Sequence, residues 1–188
     1  MTPDFQRELI PRADALHLIG ALNAMKDEAL NAAQQWELLN EDGQVPAAPS
    51  YTALLQHATD AQDFSREVLR LTAAFARSAH HSTRVGSTVL KRLAMGAMSS
   101  QAVSHFAETA ERALALPRSA NVTDRHYLAN RMVIDHASAR AFLRRTSESL
   151  RDAAKELDDH LDFHRFFPTL SRTETPTPPP PRPSARHR

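Results

Sequence analysis

Along the last long segment, Met132, His136, Ala139, Leu143, Thr146, Leu150, Ala153, Leu157, His160 and His164 recur at alternating spacings of four and three. This coiled-coil-like stripe predicts one long helix whose narrow apolar face must be buried against other helices. A similar stripe, Ala15, Leu18, Leu22, Met25, Ala29, Ala32, Trp36 and Leu39, widened by Leu16, Ile19 and Leu30, predicts a first helix. Pro11 opens that helix, and Glu41-Asp42-Gly43 with Pro46 to Pro49 stop it. Ser50 suits the N-cap of a second helix with the seam His57, Ala61, Phe64, Val68, Leu71, Phe75 and Ala79, ending near His80 and His81. Ser82 or Thr83 then starts a third, through Val85, Val89, Leu90 and Leu93, with a kink or break expected across Gly96–Ser100. Val103, Phe106, Ala107, Ala110 and Leu114 carry it on to Pro117, and Asn121 or Thr123 caps the last helix.

Four long segments joined mostly by short connections imply an all-α fold: an elongated four-helix bundle of long antiparallel helices over residues 1–167. Beyond it, residues 168–188 form a disordered Pro/Arg-rich tail in which Thr175 to Pro183 reads TPTPPPPRP. Such a segment favours extended polyproline geometry and has too few apolar side chains to join a core.

Composition narrows this picture in two ways. Four glycines and 6% aromatic residues in 188 favour helices over strands. The absence of Cys removes disulfides, thiolate metal sites and cysteine nucleophiles together. With no leader-like segment and no apolar run near the ~20 residues that span a bilayer, the chain is expected to be cytoplasmic, without a membrane partner.

A net charge of +1 hides an uneven distribution. Asp4, Glu8, Asp14, Asp27, Glu28, Glu37, Glu41, Asp42, Asp60 and Asp63 fall early, against three basic residues. No carboxylate occurs between Val68 and Ala107, where Arg77, His80, His81, Arg84, Lys91 and Arg92 gather as candidates for anion or nucleic-acid binding at a helix N-terminus. The simpler expectation is that these basic helices lie beside the acidic first helix and stabilise its packing.

Ten histidines raise the question of a metal. His160 and His164 are one helical turn apart and suit imidazole chelation of Zn, Ni or Fe. The run SYTALLQH at Ser50–His57, with HLDFH later, resembles the three-histidine pattern of DinB-like metal-binding bundles. The resemblance implies a metal-dependent enzyme with His57, His160 and His164 as ligands, in a topology where a long crossover brings them together. A plain up-down-up-down order would leave them at opposite ends. Two helical pairs, Asp14-x-x-His17 and His105-x-x-Glu108, have ligand spacing but are read as surface hydrogen bonding. No Glu-x-x-His, phosphate-loop or nucleophile-elbow motif occurs.

The expected function is therefore non-enzymatic: a helical-bundle protein, without a cofactor, acting through a protein partner or self-association as adaptor, scaffold or regulator. On the final helix Arg125, Arg131, Arg140, Arg144 and Arg145 precede Glu148, Asp152, Glu156, Asp158, Asp159 and Asp162, a polarity that would suit an antiparallel homodimer. The alternatives are the DinB-like metal enzyme and a nucleic-acid-associated regulator.

Overall fold

The computed structural model describes residues 10–166, with side chains described through residue 163. The fold is all-α: α1 (Arg12–Gln35), α2 (Tyr51–Arg77), α3 (Arg84–Gly96), α4 (Ser100–Ala115) and α5 (Val122–Phe166). Among the described residues there is no strand, and no helix is long and apolar enough to cross a membrane. The tail expected over 168–188 lies outside the described residues.

Caps fall where the sequence offers them. Ser50 accepts from the Ala53 amide at 3.3 Å, Thr83 from the Gly86 amide at 2.9 Å, and the Asn121 side chain from the Thr123 amide at 2.9 Å. Each satisfies an amide left unpaired in a helix's first turn. The α2–α3 turn is a short 3-10 segment, Ala79–Ser82, so α2 stops at Arg77 and Ala79 is exposed rather than part of its seam. This turn is tight enough to need Gly86: a Cβ there would stand 1.9 Å from the His80 carbonyl oxygen.

α3 and α4 form one column interrupted by a 3-10 turn, Ala97–Ser99, at the expected break. At this joint the Gly96 carbonyl lies 3.3 Å from the Thr146 hydroxyl of α5, whose nearer acceptor is the Phe142 carbonyl at 3.0 Å. Gly96 itself is buried where Val68, Thr146 and Leu150 converge.

The 45 residues of α5 are the spine. From Met132 to His160 every position of its stripe is buried, and its core members include Leu143, Leu150 and Leu157. Each such leucine contributes roughly 1.5–3 kcal/mol by leaving water. α5 packs along α1 on one side and along α3 and α4 on the other, and α2 packs on α3 and α4. Polar contacts fix the register. The Ile10 amide donates to His160 Nε2 at 3.1 Å, the Ser147 hydroxyl to the Lys26 carbonyl at 3.0 Å, and Arg140 Nε to the Ala33 carbonyl at 2.6 Å. Thus α1 and α5 run in opposite directions, and Arg140 caps the negative C-terminal end of α1.

α1 ends earlier than its stripe suggests. At Trp36 the backbone turns extended (φ −78, ψ 108), so Leu39 is exposed and Leu38 is buried instead, in a smaller core with Leu54, Ala113, Leu116 and Met132. Leu16 and Leu30 also lie on the exposed side. Asn40–Gln44 closes the loop on itself, with Gly43 at φ 72 in the left-handed region.

Candidate functional site

The ring of helices does not close. α1 and α2 scarcely approach one another along their length. They are pinned at one end by His80 Nε2 against Asp14 Oδ2 at 3.1 Å, and at the other by Trp36 stacked on His57 with ring centroids 4.8 Å apart. Between these pins lies a groove of about 580 Å³. Its floor holds Ala29, Ala32, Trp36, Ala61, Phe64 and, from α5, Leu143.

The rim of this groove is acidic on both sides, with Asp27 and Glu28 from α1 facing Asp60 and Asp63 from α2. The spacing is helical: 27, 28 and 31 sit on one face of α1, as 60, 63, 64 and 67 do on α2. Local cations offset part of the charge, since Lys26 meets Asp27 at 3.2 Å, Arg66 pairs with Asp63 and Arg70 with Glu67. The Gln56 amide donates to Asp60 at 2.7 Å. Counting Glu67 beside the groove with the four carboxylates that line it, five acids against three cations leave a net negative region, and each of those pairs is exposed or half-exposed and contributes little. Partial burial, then the carboxylates of Glu67 and Asp60, raise the pKa of Glu28 above its usual value.

This corrects the expectation that the acidic first helix lies against basic helices. Apart from the Asp14–His80 contact, the carboxylates of α1 face those of α2, because charge counts along a chain do not encode azimuth. The basic stretch meets α5 instead: Arg92 lies 3.7 Å from Asp152. His81 is held by the Ser78 carbonyl at 2.7 Å, and Arg77 donates to the Ala73 carbonyl at 3.0 Å. Among the described residues no ion pair engages Arg77, Arg84 or Lys91, so these three share the α2–α3 pole as exposed cations.

Behind the groove, Trp36, His57, Phe106 and His136 form a ring cluster. His57 and His136 centroids are 6.0 Å apart, and both rings stand edge-on to Phe106, at 5.8 and 5.3 Å. His136 is 3% exposed, and neither its Nε2 nor His57 Nδ1 has a hydrogen-bond partner. Burial, then the neighbouring His57 and Arg140, push the pKa of His136 down to about 4. Burial likewise lowers that of His57, against the pull of Asp60. Both rings are thus neutral at pH 7. On its other side His136 helps line a cavity of about 350 Å³ with Glu37, Glu41 and Arg140.

The triad of His57, His160 and His164 does not assemble. His57 sits at the level of His136, and at ~1.5 Å per residue His160 stands about 36 Å farther along α5, where its Nε2 is taken by the Ile10 amide. The long crossover of DinB-like bundles is absent, and the His164 side chain lies outside the described residues. Sequence reading placed His57 in the α2 seam and His136 in the α5 seam, but nothing in one dimension shows that they meet.

His105, Glu108 and Asp135 do converge, their ligand atoms lying within 4.8 Å of one another. Arg112 already occupies that position: its guanidinium reaches Asp135 at 2.6 Å and Glu108 at 3.1 Å, with Arg131 3.8 Å from Asp135. A buried carboxylate held by arginine is a helix-to-helix staple, and a second cation there would meet repulsion.

Comparisons with family models, with curated proteins and with solved structures return no match.

Proposed function

We propose that this chain is a non-enzymatic helical-bundle protein that acts by protein–protein association, its α1/α2 groove receiving a cationic segment of the partner. One observation carries this reading: two acidic helix faces front each other across an unfilled seam whose floor is apolar and aromatic. Like charges held that close destabilise the isolated fold, and a cationic partner relieves them while its apolar side chains cover Phe64, Trp36 and Leu143. Arginine suits the rim best, since its planar fork pairs with carboxylates and its face stacks on indole.

Trp36, the only tryptophan, lines the groove and makes the reading testable. The probe is a synthetic peptide of alternating Arg-Pro and Leu-Pro pairs, titrated while Trp36 emission is recorded at low and high salt. A saturable one-to-one change is expected. Asp60→Asn with Asp63→Asn should weaken it about tenfold, within the range that two exposed rim pairs contribute. Asp158→Asn with Asp159→Asn, on exposed positions of α5, should leave it alone. Equal effects of the two double variants, or no saturable change, would remove the groove from consideration.

A further inference from the structure

The chain carries a segment of the chemistry this groove selects. Residues 168–188 contain Arg172, Arg182, Arg186, Arg188 and His187 against one acid, Glu174, and the run Thr175 to Pro183 is two-thirds proline. We infer that residues 175–188 of this chain dock in its own α1/α2 groove, arginines on the Asp27, Glu28, Asp60 and Asp63 rim and prolines on Trp36 and Phe64. The inference rests on the groove reading above and names its resident occupant.

Three observations support it. The first is charge: five carboxylates against three local cations on the groove side face three arginines and no acidic side chain on residues 175–188. The second is shape. A gap between two helices, floored by small alanines with an indole at one end, admits an extended chain more readily than a further helix of ~10 Å diameter. Proline-rich segments also lose little entropy on docking against aromatic side chains. The third is reach. From Phe166 back to the level of Leu143 is about 35 Å along α5 at ~1.5 Å per residue. Residues 167–182 in polyproline geometry would span about 50 Å at ~3.1 Å per residue, enough for Arg182 to reach the groove with the remaining arginines just beyond. Tethering makes the encounter intramolecular, so a weak site is still occupied until a partner competes for it.

The test uses the full chain and exploits its lack of cysteine. Ser184→Cys carries a nitroxide, and amide signals of the isotope-labelled protein are compared with the label oxidised and reduced. Selective broadening is expected at residues 24–36 and 57–67, disappearing in high salt and in the Asp60→Asn, Asp63→Asn double variant. Broadening absent from those residues, or confined to the end of α5, overturns the inference. A mixture of isotope-labelled chain without nitroxide and nitroxide-bearing chain without isotope separates the sources. Groove broadening of equal strength there means that a second copy supplies the segment, which overturns docking in cis. The groove reading is tested separately, by titrating the Arg-Pro/Leu-Pro peptide into a chain with Arg182→Gln, Arg186→Gln and Arg188→Gln: Trp36 emission unchanged there, or altered equally in the two Asp→Asn double variants, overturns that reading.

Discussion

His57 lies face to face with Trp36, the planes inclined by 4° and the centroids 4.8 Å apart. An imidazolium in that position quenches indole emission by accepting an electron, whereas the neutral ring does not. Because burial lowers the pKa of His57, acidification should dim Trp36 in a step centred below pH 6.5. Replacing His57 by Gln should remove that step while leaving the circular dichroism of the helices unchanged. A midpoint at or above 6.5 would show that the ring is solvated and that the stack is not maintained in solution.

His136 makes the fold acid-sensitive. The unfolded chain protonates this ring below about pH 6.5, the folded chain only below about 4, so unfolding takes up a proton across that window. Its stabilising contribution is complete above 6.5, declines as pH falls and is lost by about 4, amounting to about 3 kcal/mol in all. Urea unfolding at a series of pH values between 7 and 4 should show this slope. In a His136→Leu variant the slope should shrink to the part left by His57, which has the same sign, offset toward acid pH by Glu28, which has the opposite one.

Two glycines should respond oppositely to alanine. At Gly86 the new Cβ meets the His80 carbonyl oxygen at 1.9 Å and Thr83 Oγ1 at 2.9 Å, so the α2–α3 turn must open, at a cost of about 3 kcal/mol or more. At Gly20, inside α1 with nothing within 4 Å, the same change should stabilise by about 1 kcal/mol through helix propensity. Thermal or urea unfolding of the two variants decides both.

Glu28 should show stability and binding pulling apart. Its carboxylate is disfavoured in the folded chain by burial and by Glu67 and Asp60, so Glu28→Gln should raise stability at pH 7 by about 0.5 kcal/mol. The same substitution should weaken the cationic probe peptide several-fold. Loss of both stability and binding would mean that Glu28 is held by a favourable contact and that the rim is not repulsive.

The parts of this structure legible in the sequence are those set by local spacing. The α5 stripe from Met132 to His160 and the caps at Ser50, Thr83 and Asn121 depend on residues within a turn or two of each other, or on a period sustained over many turns. The end of α1 was not legible, because Trp36 and Leu39 continue the period even though the chain has left the helix to bury Leu38. The groove was half visible. The excess of acid before residue 63 is plain in the sequence, but whether Asp60 and Asp63 point at Asp27 and Glu28 depends on which helices are neighbours and how each is rotated. The pairing of His57 with His136 belongs to the same class, as does the arginine clamp on Asp135.

Because α1 and the α3–α4 column each pack on α5 far more than on one another, the order in which a ribosome delivers this chain matters. The first two helices leave the exit tunnel with little to hold them together, and the third arrives with its joint unsupported. α2 finds its main surface once α4 has been made, whereas α1 and α3 wait for the last helix and α4 for the second of its two partners. α1 therefore docks only after α5 has been made, and until then the nascent chain exposes the apolar faces that α5 will cover.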